Sequence, residues 1–168
     1  ALRNGNGERA ATTLNNLGVI VYFRGDYTSY VKYIQQALQI SREIGNKQFI
    51  ALLLGNLGDG NMKLGDLAAA RQNLREAFSL ARKLGALPQV IQAVKSFGEL
   101  LGLEGQKDRA LLLLGAVLAQ PSTDSDTRVE VDRVLESIGV KREAVEADLA
   151  CGKEANFDAL VRELLDER

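Results

Sequence analysis

The chain has 168 residues and a net charge of −1, with 46% hydrophobic and 26% charged residues. That composition supports a packed core and excludes a disordered chain. It contains no His and a single Cys, Cys151, which excludes His-based acid–base chemistry, Ser–His and Cys–His nucleophile pairs, His-ligated zinc and an internal disulfide. The 16 Gly against 2 Pro suit helices separated by glycine turns.

The chain opens Ala1-Leu2-Arg3-Asn4 without Met or a signal peptide, and is expected to be a piece of a longer protein. The first predicted helix carries Leu14, Leu17, Gly18 and Val21 on one face at helical spacing. Gly25 ends it, and Asp26 caps a second helix that turns Tyr27, Tyr30, Val31, Ile34 and Leu38 inward. The pattern then repeats. Asn16-Leu17-Gly18 recurs as Asn56-Leu57-Gly58 and, degraded, as Ser96-Phe97-Gly98, each step being 40 residues. Gly25-Asp26 recurs as Gly65-Asp66 and Gly105-Gln106. Gln36-Ala37-Leu38 matches Glu76-Ala77-Phe78, and Ile44-Gly45-Asn46 matches Leu84-Gly85-Ala86. The second unit brings Leu54, Leu57, Gly58, Ala70, Leu74 and Ala77 inward; the third brings Val94, Phe97, Gly98, Leu101, Ala110, Leu114 and Val117.

Gly18, Gly58 and Gly98 sit inside helices, where each costs about 1 kcal/mol against Ala. Their recurrence predicts close helix contact near Tyr30, Ala70 and Ala110. Packing gives no reason for Gly55, Gly60 and Gly102, which read as local flexibility or a ligand-facing backbone. Beyond Pro121, short helices are expected near 126–138, 141–151 and 156–167, broken at Gly139 and Gly152. The last carries a stripe of Phe157, Leu160, Val161, Leu164 and Leu165. Residues 1–123 hold 14 Lys/Arg and 9 Asp/Glu, whereas 124–168 hold 7 and 13. A basic body and an acidic tail read as solvated faces. Cys151 reads as a packed thiol. No apolar run approaches the roughly 20 residues of a membrane span.

The residues Asn16-Leu17-Gly18, Gly25-Asp26-Tyr27, Ile34 and Ala37, with their copies, resemble the tetratricopeptide repeat in its forty-residue variety. That variety is familiar from sensor arrays of bacterial signal-transduction ATPases and transcriptional regulators. The resemblance implies an all-α fold: a right-handed α-α superhelix, or solenoid, of three helix pairs plus C-terminal capping helices. Three repeats are expected over 1–119 (about 11–50, 51–90 and 91–119), and a helical cap over 120–168. Tyr30 stands where the family has a small residue, which predicts a first pair that is splayed or capped differently.

By the same resemblance, the first helix of each pair lines a concave groove for a protein or peptide partner. Asn15, Asn16, Val19, Tyr22 and Phe23 would come from the first unit, with Thr12 beside them. Asn56, Asp59 and Lys63 would come from the second, alongside Leu52, Gly55 and Met62. Lys95 and Glu99 would come from the third, with Gln92, Ser96 and Leu103. A cationic clamp for a terminal carboxylate is disfavoured, because only Asn56 fits it, while Asn15, Val19, Gln92 and Ser96 supply no cation. The reading is a non-catalytic, cytoplasmic interaction module without cofactor or metal, contacting neither nucleic acid nor membrane. Homo-dimerisation and small-molecule sensing stand as alternatives.

Overall fold

The computed structural model describes residues 2–154 and 156–166, with side chains except at 2–4, 144, 154, 161 and 164–166. Among the described residues the chain is all α. The helices are α1 (Leu2–Phe23), α2 (Tyr27–Ile44), α3 (Lys47–Lys63), α4 (Leu67–Lys83), α5 (Leu87–Leu103), α6 (Lys107–Ala119), α7 (Ser125–Ser137), α8 (Glu146–Glu154) and α9 (Phe157–Asp166), with a 3-10 turn at Arg142–Ala144 before α8. They fall into two compact units, residues 1–89 and 90–168.

Local chemistry sets the boundaries. Gly25, Gly65 and Gly105 take φ of +80°, +80° and +84°, the left-handed conformation that closes a helix. Asp26 and Asp66 then accept hydrogen bonds from the Ser29 and Ala69 backbone N–H at 3.0 and 2.9 Å. At the third copy Gln106 provides no such side-chain cap, as its longer amide departs from the Asp pattern.

In unit one, α1 packs on α2, α2 on α3 and α3 on α4. The core gathers Ile34, Ala37, Leu38, Leu53, Leu54 and Leu57. Gly18 and Gly58 lie where the periodicity places them. A Cβ on Gly18 would meet Ile34 at 3.1 Å and Tyr30 at 3.2 Å, and one on Gly58 would meet Leu74 at 2.5 Å. Each missing side chain therefore admits the next helix. Gly60 is corrected: a Cβ there would lie 2.8 Å from Val31 and 2.9 Å from the Tyr30 ring, so its role is packing. The same contact explains how Tyr30 is accommodated. Its ring is buried between two glycines, Gly18 and Gly60, instead of prising the first pair apart. Leu17, expected inward, is 41% exposed. Gly55 remains distinct, since an added Cβ meets nothing within 4 Å.

In unit two, Gly98 packs against Leu114 of α6. Gly102 is likewise corrected to a packing glycine, since a Cβ there would lie 2.5 Å from Ile138. α8 packs on α6. Gly139 ends α7 at φ +71°. The N–H groups of Gly139 and Val140 donate back to Glu136 and Leu135 at 3.0 and 2.9 Å, as Gly25 and Asp26 do to Tyr22 and Val21 at 2.9 and 3.0 Å. Gly152 does not break a helix. It lies inside α8, facing Gly115 of α6; a Cβ on Gly115 would come within 2.8 Å of the Gly152 Cα. Cys151 is exposed on α8, because the face that packs on α6 belongs to Leu149 and Gly152. On α9, Val161, Leu164 and Leu165 lie outside the described side chains.

Candidate functional site: the α1/α3 face

In unit one, α1 and α3 are adjacent first helices of successive pairs and share a polar face. Asn56 donates from Nδ2 to Asn15 Oδ1 at 3.0 Å. This bridges two residues that the sequence placed on one face from different repeats. Asn16 and Val19 are exposed beside Asn15, and Asp59 is half-buried one turn beyond Asn56, followed by exposed Lys63. Met62 is buried and lies off this face.

At the C-terminal end of α1, Tyr22 is the hub of an aromatic cluster. Its ring stands edge-on to Tyr30, Tyr27 and Phe23, with centroids 5.0, 5.2 and 5.9 Å away. Such edge contacts are favourable beyond the area they bury. Phe23 is 78% exposed, whereas Tyr22 is half-buried. Burial pushes the Tyr30 hydroxyl above its ordinary value of 10, and the neighbouring Asp59 carboxylate adds to the effect. At the opposite end, a cavity of about 300 Å³ is lined by Glu8 and Thr12 of α1, Asn46 and Gln48, Phe49 and Leu52 of α3, and Gln89. The sequence pattern signalled Thr12 and Leu52 but not Glu8 or Gln48. Their register shows only once α1 and α3 are laid side by side.

Lys95 and Glu99 belong to a different setting in unit two. Both are buried under α7. The Lys95 ammonium pairs with Glu130, and Glu99 accepts a hydrogen bond from the Ser137 hydroxyl at 3.2 Å. The expected open groove is therefore covered by α7 at these two positions. The sequence contained the signal in the acidic helix after Pro121, but not its docking partner.

Residues 9–83 match the family model described as tetratricopeptide repeat. With the helix pairs of unit one, that match supports a tetratricopeptide repeat over this segment, a fold that is generally a protein-interaction module and typically non-catalytic. No curated protein and no solved structure matched. No described helix is long and apolar enough to cross a membrane.

Proposed function

We propose that the α1/α3 face of unit one binds a polypeptide partner. The observation that carries this reading is the Asn15–Asn56 bridge set between an exposed aromatic end and a polar cavity. An Asn side chain offers two donors and a two-lone-pair acceptor, so a pair sharing one bond keeps capacity for a peptide backbone. Phe23, backed by Tyr22, supplies the rigid aromatic area on which binding energy concentrates. Asn16, Val19, Asp59 and Lys63 border this strip and set side-chain preference. The forty-residue spacing supports a finer reading, in which the chain is a non-catalytic sensor or scaffold region of a larger cytoplasmic bacterial regulator. Lys95 and Glu99 serve the packing of α7 in this account.

A phage-displayed library of peptides, panned against the protein, tests the reading. Selected peptides should bind at least about tenfold more weakly to Tyr22→Ala and Asn56→Ala, the loss of one anchor. Peptides that bind both variants as they bind the parent would remove the site.

A further inference from the structure

α1 presents a third side, facing neither α2 nor the α1/α3 face. Thr13, Leu17 and Ile20 recur on it at helical spacing and are exposed, Leu17 at 41% and Ile20 at 50%. Forty residues on, the same stripe of α3 is Leu53, Leu57 and Gly60. There it is filled: Leu57 is only 4% exposed, and Gly60 lies against Tyr30 and Val31 of α2. So the equivalent surface of α3 is a finished helix-packing interface, while that of α1 has the same apolar character without a covering helix among the described residues.

The residues ahead of this stripe repeat the joint that makes such an interface. Gly5-Asn6 stands forty residues before Gly45-Asn46. Gly45 turns the chain out of α2 at φ +74°, and Asn46 caps α3 by accepting from the Phe49 N–H at 3.1 Å. Gly5 and Asn6 are instead wound into α1, which has 22 residues where α3 and α5 have 17 each. A turn sequence thus extends the helix by five residues.

The two stripes differ in one informative place. α3 has Gly60 where α1 has Ile20, and Gly60 is what admits the Tyr30 ring, since a Cβ there would lie 2.9 Å from it. A helix seated on α1 needs the reverse arrangement, a small residue opposite Ile20. α4 offers that combination in its own register, with Ala70 in the place of Tyr30 and Leu74 in the place of Ile34.

We propose that the Thr13–Leu17–Ile20 side of α1 is the seat for a further helix pair of the same forty-residue register, joined to α1 through Gly5–Asn6. The second helix of that pair carries a small residue opposite Ile20 and an aliphatic residue one turn on. The partner is therefore of the α4 type and not of the α2 type, because close-packed interiors reject a ring where the facing position is already filled by a branched side chain.

Two fusions to the full chain test this. One places a copy of residues 46–85 directly ahead of Asn6; the other places a copy of residues 6–45 there. Docking is read by thiol labelling of Leu17→Cys in a Cys151→Ser background, with the melting temperature as a second measurement. The 46–85 fusion should slow labelling at least about tenfold relative to the unfused chain and melt higher. The 6–45 fusion should gain neither until Ile20→Gly makes room for the added Tyr. Leu17→Glu should abolish the melting gain of the first fusion while leaving the unfused chain unchanged. Unaltered labelling in the 46–85 fusion would overturn the proposal, as would equal gains from both fusions. So would a concentration-dependent dimer of the unfused chain that Leu17→Glu dissolves, since that result gives the face to a second copy.

Discussion

The contact between Gly115 and Gly152 makes a sharp prediction, because the obstacle to a side chain there is backbone. A Cβ on Gly115 would come within 2.8 Å of the Gly152 Cα and 3.1 Å of its carbonyl carbon, and would also press on the Leu149 carbonyl oxygen. Carbon atoms in ordinary contact stand about 3.5–4.0 Å apart. No rotamer change relieves the clash, so Gly115→Ala must push α6 and α8 apart by roughly 1 Å. Overpacking of this kind costs about 1–3 kcal/mol, and the helix preference of Ala over Gly returns about 1 kcal/mol. The expected net loss reaches about 2 kcal/mol, or about 4–8 °C in Tm for a chain of this size. Gly55→Ala is the matched control. Gly55 is also inside a helix, but its added Cβ meets nothing within 4 Å, so only the propensity gain of up to about 1 kcal/mol remains. Urea unfolding followed by far-UV circular dichroism reads both, with the Gly115→Ala loss falling in the transition of unit two. A Gly115→Ala chain as stable as Gly55→Ala would refute the reasoning, since propensity alone would then account for both.

Three further outcomes follow from the same packing and electrostatics. Asp26 and Asp124 are held below the ordinary carboxylate range by the N-terminal hydrogen bonds they accept, chiefly from Ser29 and Thr127. A lowered folded value means stability that is present above the unfolded value, near 4, and lost as pH falls through the folded one. The Asp26→Asn/Asp124→Asn chain should therefore show a flatter dependence of unfolding free energy on pH below 5. Tyr30 carries the opposite sign at the other end of the scale. Its proton is held more tightly folded than unfolded, so stability should fall as pH rises above 10; absorbance at 295 nm should show one tyrosine ionising only on unfolding, and four tyrosines titrating together would contradict this. Glu130→Gln leaves the buried Lys95 ammonium without its carboxylate and should cost about 1–3 kcal/mol. Lys95→Met/Glu130→Leu should recover much of that loss in a double-mutant cycle.

The pairing of helices was legible because it is written in short-range chemistry. Gly25-Asp26, Gly65-Asp66 and Ile44-Gly45-Asn46 terminate and restart helices by local backbone geometry and capping, which need no neighbour. Gly18, Gly58 and Gly98 announced close contact because a glycine inside a helix is unfavourable unless something fills its place. Gly60 and Gly102 carried the same signal, but their partners are Tyr30 with Val31 and Ile138, outside the helix pair to which each glycine belongs. Periodicity within one pair could not find them.

The Asn15–Asn56 bridge shows the same division. Equal register put both residues on first helices, but only packing α1 beside α3 brings the amides to 3.0 Å. Lys95 and Glu99 show it from the other direction, since residues in register with an open face are covered by α7, whose own sequence has lost the repeat pattern. Sequence alone determined the helix breaks at Gly25-Asp26, Gly45-Asn46 and Gly65-Asp66 and inward residues such as Ile34, Ala37 and Leu74, because those depend on neighbours a few positions away, whereas Leu17 and Gly152 escaped that local reading. Tertiary structure alone decided which polar faces stay open, that Gly60, Gly102 and Gly152 are contacts, and that α8 closes against α6. Those outcomes depend on side chains that meet across tens of residues, and no local pattern records the meeting.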